Sequence, residues 1–232
     1  MLELIDICYA TNGKQILDNI NLNFSDEIAV ITGANGAGKS TLAKIVMGIL
    51  KPTSGKILYN GQDITDFSIT ERAKMGIAFA FQQPVKFKGL RVMDMLRLAS
   101  REKNISLNSY LGDVGLCAKD YLTRELSGEL SGGELKRIEI ASVLARKAKV
   151  TIFDEPEAGI DLWSFTNLVK TFRHFQNSTQ GTMIIISHQE KMIELADKII
   201  VLNSGKVEKI GKKDEIMPTL SIKSCNGCGG NR

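Results

Sequence analysis

Residues 33–41 read GANGAGKST. They lie between EIAVITG, a continuous apolar run of the kind that forms a buried strand, and KSTLAKIVMGIL, whose apolar residues recur at helical spacing. Residues 33–40 match the pattern G-x-x-x-x-G-K-[ST] without exception, and they do so in the strand–turn–helix context its mechanism requires. Glycines at 33, 36 and 38 let the backbone curl until successive N–H groups face one point, and Lys39 adds a mobile positive charge for outer phosphates. Gly33, Asn35, Gly36, Ala37, Gly38, Lys39, Ser40 and Thr41 are therefore the expected cradle, with Ser40 placed to hold Mg2+.

Working outward, residues 2–9 and 16–24 alternate apolar and polar side chains around the turn signal TNGK, so an antiparallel pair precedes the loop. After it, KPTSGKILYNGQDI holds two turn signals around a short strand, and GIAFAF is a second buried run. The helix-like RVMDMLRLAS opens a stretch from Leu90 to Glu129 with no strong strand, which predicts a small helical subdomain at about 90–130. Beyond it, a helix (GGELKRIEIASVLARKA), a strand (VTIFDE), a helix (LWSFTNLVKTFRHFQ), a strand (GTMIIIS), a short helix and a hairpin (KIIVLNSGKVEKI) follow in turn. Strands alternating with helices imply parallel βαβ units and an α/β sheet with helices on its faces.

Acidic groups near the outer phosphate come from VTIFDEP, which ends an apolar run on Asp154 and Glu155. Ligands of open α/β sheets gather beyond the carboxyl ends of the strands, where this pair emerges. Asp154 suits a Mg2+ shell and Glu155 suits activation of an attacking water. His188 ends the next strand and reaches the same edge, whereas His174, within FRHFQ, reads as structural. Residues 130–137, LSGGELKR, open another helix with glycines. Two readings stand level there: a second anion-binding helix terminus, or a capping box in which Ser131 and Glu134 satisfy each other.

Composition narrows the classes. The chain has 232 residues, 43% hydrophobic and 24% charged, with a formal net charge of +4, which fits an ordinary globular protein and gives no nucleic-acid footprint. Its longest apolar runs fall far short of the ~20 residues needed to span a bilayer. The start, MLELIDICYA, is acidic where a secretory leader is basic, and Cys8, Cys117, Cys225 and Cys228 are too scattered for a disulfide scaffold. A cytoplasmic location is expected.

The order phosphate loop, FQQP, LSGGELKR, FDEP, GID, SH resembles the ATP-binding-cassette (ABC) ATPases over about residues 2–210. The resemblance implies a P-loop NTPase core with an antiparallel β subdomain and a small helical subdomain, ATP and Mg2+ as cofactors, and hydrolysis to ADP and phosphate. It implies that Tyr9 stacks on adenine, the alternative being a strand-surface tyrosine. It further implies that Gln82 touches Mg2+ and the attacking water, that His188 meets the γ-phosphate, and that Asp161 lies at a subunit junction. Ser131, Gly132 and Gly133 would close on the phosphates of a second copy, making an ATP-dependent homodimer. The ATPase domain is expected at 1–218 and a Gly/Cys-rich tail at 219–232.

The load is less determined. GIAFAFQQPVKFKG (76–89) is similar to the corresponding stretch of the SufC ATPases of iron–sulfur cluster assembly, which implies a SufB-like scaffold as partner. The alternative is a transporter subunit resting on a membrane permease. A DNA-maintenance ATPase would carry a long coiled-coil insertion that the sequence lacks. The tail's C-x-x-C reads either as ordinary reduced thiols or as half of a shared metal or cluster site.

Overall fold

The computed structural model describes residues 1–100, 106–127 and 130–225. In chain order the elements are β1 (Leu2–Thr11), β2 (Lys14–Phe24), β3 (Ile28–Gly33), α1 (Lys39–Met47), β4 (Ser54–Tyr59), β5 (Gln62–Asp63), α2 (Ile69–Met75) and β6 (Ile77–Ala80). There follow α3 (Val92–Ala99), α4 (Leu107–Asp113), α5 (Ala118–Tyr121), α6 (Gly132–Ala145), β7 (Val150–Asp154), α7 (Leu162–Thr179), β8 (Thr182–Ile186), α8 (Glu190–Glu194), β9 (Lys198–Asn203), β10 (Lys206–Lys212) and α9 (Lys213–Cys225).

Two sheets result. One has the order β2-β1-β4-β5 and is antiparallel; the other runs β10-β9-β3-β8-β7-β6, parallel throughout except for β10. The expected hairpin turns at Asn12 and Gly13, both at positive φ (50° and 72°), as a two-residue turn matched to strand twist demands.

The larger sheet is covered on both faces, which is why its strands read as unbroken apolar runs. Along β3, Ala29 and Ile31 face the antiparallel sheet and α1, packing with Leu4, Ile20, Leu42 and Ile45. The alternate residues, Ile28 and Val30, face the other way, into a core with Leu96, Leu111, Ile138 and Phe172 from the helices. Phe153 of β7 and Phe172 of α7 hold their rings 4.5 Å apart, fixing α7 to the strand that carries Asp154. Arg72 is buried and donates to the carbonyls of Ile45 and Val46, both at 2.7 Å. It thereby satisfies the open end of α1, where a cation is favoured by the helix dipole.

Residues 92–121 hold the short helices α3, α4 and α5; Leu96 and Leu111 from the helices, with Val114 and Leu116 from the turn after α4, share a core with residues of α6. This is the helical subdomain the sequence predicts, and its one β interaction among the described residues is an isolated Arg91–Glu125 bridge. At the other end, α9 carries Pro218 inside it and continues to Cys225. Cys228 and the rest of the CNGCGG tail beyond Cys225 lie outside the described residues.

Candidate functional site

The loop after β3 is built by exclusion of side chains. Gly33 sits at φ 140°, and a Cβ there would meet the Leu202 carbonyl oxygen at 2.0 Å. Gly38 sits at φ 96°, with Leu17 Cδ2 2.6 Å from where its Cβ would be. Gly205 N–H donates to the Ala37 carbonyl at 3.2 Å, tying the loop to the β9–β10 turn. Residues 34–36 are exposed while Ala37, Gly38 and Lys39 are buried. Lys39 Nζ donates to the carbonyls of Gly33 (2.8 Å) and Ala34 (2.9 Å), across the mouth of the loop. Burial pushes its ammonium pKa down, opposed by the charges of Glu155 and Asp154.

Ser40, in the first turn of α1, donates through Oγ to Asp154 Oδ1 at 3.0 Å. Asp154 closes β7, is 2% exposed, and has its carboxyl pKa raised by burial, with Ser40 as the opposing hydrogen bond. Glu155 follows at φ 45°, a conformation disfavoured for a residue with a Cβ, and its N–H donates to the Ile186 carbonyl at 3.0 Å. Gln82 Nε2 donates to Glu155 Oε2 at 2.6 Å. So the residues expected at the metal and the water, drawn from α1, the end of β7 and the loop after β6, converge beyond the carboxyl edge of the sheet. His188 is exposed there and shares with Gly33 and Ala34 a cleft of about 390 Å³.

Tyr9 is half-buried in β1 and is paired with Leu17, the residue whose side chain lies against Gly38. That puts its ring one strand away from the loop.

Ser131, Gly132 and Gly133 are arranged differently. Ser131 Oγ accepts the Glu134 N–H at 3.3 Å and Glu134 Oε2 accepts the Ser131 N–H at 2.7 Å, a complete capping box. Tyr121 adds its hydroxyl to Glu134, and these hydrogen bonds, Tyr121 first, lower the Glu134 pKa. Gly133 lies against Gly159, whose carbonyl oxygen a Cβ would meet at 2.4 Å, whereas at Gly132 a Cβ would meet nothing within 4 Å. Asp161 caps α7, accepting from Trp163 N–H (3.1 Å) and Ser164 N–H (3.0 Å). Among the described residues, no hydrogen bond joins this group to residues 33–41.

Sequence reading missed a layer of buried polar groups under the site. Lys136 and Glu139 are buried within α6, and Glu157 accepts from the buried Ser187 hydroxyl while its Oε2 is enclosed without a hydrogen bond. Burial raises the Glu157 pKa, opposed by the Ser187 hydrogen bond. The available signal was Lys136 and Glu139 standing three apart among Leu135, Ile138 and Ile140, at positions the helix period assigns to the core.

A family model described as ABC transporter matches residues 17–158. The chain belongs to the ABC transporter family. An uncharacterized ABC transporter ATP-binding protein of Methanocaldococcus jannaschii is 37% identical over 98% of this chain and 95% of its own length. An energy-coupling factor transporter ATP-binding protein, EcfA2 of Clostridium acetobutylicum, is 35% identical over 88% of this chain and 74% of its own. The fold matches a dimeric post-hydrolysis ATP-binding cassette bound to ADP and Pi with a TM-score of 0.82, at 23% identity over 92% of this chain and 99% of that one. This ABC protein is an ATPase that binds ATP. No helix among its described residues is long and apolar enough to cross a membrane.

Proposed function

We propose that the chain is the ATP-hydrolysing subunit of a membrane transporter, working as two copies that close on ATP. The Ser40–Asp154 and Gln82–Glu155 contacts support its hydrolytic part, because they bring oxygen donors suited to a cation and a carboxylate suited to act as base to the mouth of the phosphate loop.

A divalent cation fits the first pair. Asp154 is nearly fully buried with its charge under-compensated, and a hydroxyl and a carboxylate are the hard oxygen donors Mg2+ takes. Bound there, the ion would offset charge on the β- and γ-phosphates. The remaining steps belong to the chain. The loop N–H groups and Lys39 hold the phosphates, and His188 contacts the outer one. Glu155 accepts a proton from water as its oxygen bonds to the γ-phosphorus; the bond to the β,γ-bridging oxygen breaks, leaving ADP and phosphate. Tyr9 supports the adenine. Ser131, Gly132, Gly133 and Asp161 act on the other copy's nucleotide, since their own chain forms the phosphate loop without them.

The partner rests on the loop after Gln82. Phe81 just before Gln82 and Val85 and Phe87 after it expose 38%, 48% and 42% of their surface, and the names of the relatives make a permease the favoured occupant. A second reading keeps one support: residues 76–89 are similar to SufC, which would put a SufB-like scaffold on the same surface. The ATPase domain then spans 1–218 and the tail follows.

Affinity purification of the native protein from membrane and soluble fractions separates these. A stoichiometric partner with several membrane spans supports the transporter reading. A partner without spans, with iron–sulfur enzymes losing activity on disruption, overturns it in favour of the scaffold.

A further inference from the structure

Helix α6 carries two charges where its neighbours are apolar. The side chains of Lys136 and Glu139 are 0% and 9% exposed, and their Nζ and Oε2 lie 3.4 Å apart. Buried pairs of this kind are often no more stabilising than apolar residues of equal volume, so their presence calls for a reason beyond stability. What they touch supplies it. Glu139 Oε1 accepts the Phe81 N–H at 3.0 Å, while Lys136 Nζ donates to the Phe81 carbonyl and, at 3.4 Å, to the Gln82 carbonyl. The pair therefore grips both polar groups of one peptide-bearing residue and the carbonyl of the next. The side chain of that next residue is the one that reaches Glu155, at 2.6 Å. The charges of Asp154 and Glu157 also favour the Lys136 ammonium, against the burial that disfavours it. Five and eight residues before this grip, the same helix begins at the Ser131 cap.

We propose that Lys136 and Glu139 are positioning residues for hydrolysis: they fix the Gln82 backbone to α6 so that the Gln82 amide is set on Glu155. The inference deepens the reading of Glu155 as the base and rests on it. Because α6 is one continuous helix from Gly132 to Ala145, a displacement of its Ser131 end carries the grip with it and shifts the Gln82 amide relative to Glu155. The helix start and the base are thus connected within one chain through a single pair of charges.

The test uses the full chain, measuring phosphate release against ATP concentration. Lys136→Met with Glu139→Leu removes both members of the pair together, so neither is left buried without the other. It should lower kcat about tenfold with KM within about twofold, a coupling of the size found within one hydrogen-bond network. In a Gln82→Ala background the same double change should have no further effect, because the residues act through Gln82. Lys136→Met with Glu139→Gln keeps an acceptor for the Phe81 N–H and should recover most of the loss. An unchanged kcat, a KM effect alone, or an equal loss without Gln82 would overturn the proposal. Should the apolar pair fail to fold, amide hydrogen exchange of the wild-type protein decides: the Phe81 N–H must be protected although its side chain is exposed, and rapid exchange refutes the grip. Glu155→Gln, assayed alongside, reads the base assignment separately: retained turnover there sinks that assignment, and Phe81 protection still reports on the grip.

Discussion

Helices α1 and α6 both start at glycine-bearing turns, yet the two starts are made in opposite ways. The first is capped by Gly38 at φ 96°, with no side chain bonded to its N–H groups and no acidic residue in its first turn. The second carries its own anion: Glu134 answers the Ser131 N–H, Ser131 answers the Glu134 N–H, and Tyr121 holds the carboxylate. A helix terminus that leaves its donors to backbone geometry is arranged for an incoming phosphate. One that is already capped stands without a ligand, and offers only an exposed serine and the open surface of Gly132 to something arriving from outside. On the proposed reading, the difference separates a site that a chain builds for its own nucleotide from one it lends to another.

Substitutions can break or sharpen this contrast. The largest effect belongs to the α1 end. Glu155→Gln should keep nucleotide binding but lower steady-state phosphate release by ~10² to 10⁴, the usual contribution of a general base. Next are the glycines. Gly33→Ala puts a methyl group against the Leu202 carbonyl at φ 140°, and thermal or urea denaturation should show a loss of at least ~1–3 kcal/mol. Gly132→Ala meets open space, so stability should stay within about 0.5 kcal/mol while ATP-dependent dimerisation weakens. Equal destabilisation by the two would erase the distinction between them.

Smaller still is the cap itself. Ser131→Ala should cost about 1 kcal/mol in denaturant unfolding, as other N-cap serines do. Glu134 gives the pH signature. Its folded pKa is depressed, so its contribution is present above the usual carboxylate value of 4.5 and is lost as pH falls through the folded value. Solvent screening keeps that contribution below ~1 kcal/mol. The stability gap between wild type and Glu134→Gln should accordingly be open at pH 7 and close in acid; a gap that widens on acidification would contradict the hydrogen-bond account.

What was legible in the sequence follows the same physics. The strand–loop–helix at 27–50 announced itself because period, glycines and Lys39 agree, and the Asn12–Gly13 turn because only positive φ closes it. Asp154 and Glu155 were readable as the end of a buried run. Short pieces such as β5 and α5, two and four residues long, carry too little periodicity to be seen. Lys136 and Glu139 were missed for a different reason: their spacing among apolar residues marked a buried face, but a charge on a helix reads as solvent-facing, and the Phe81 backbone that makes burial tolerable lies more than fifty residues away. Nothing local in Ser131 and Glu134 distinguished a capping box from an anion site, and the structure shows the box formed.

The central claim is that the α6 start serves the nucleotide of a second copy. Mixing is its most direct measurement: a Lys39→Ala protein, deficient at its own phosphate loop, is combined with a Ser131→Arg protein, deficient at its lent surface, and phosphate release is followed across mixing ratios. Each alone should be nearly inactive, and hybrids should regain turnover, because one of their two sites combines an intact loop with an intact α6 start. Hybrids proven to form yet inactive at every ratio would contradict the account and place the whole site within one chain.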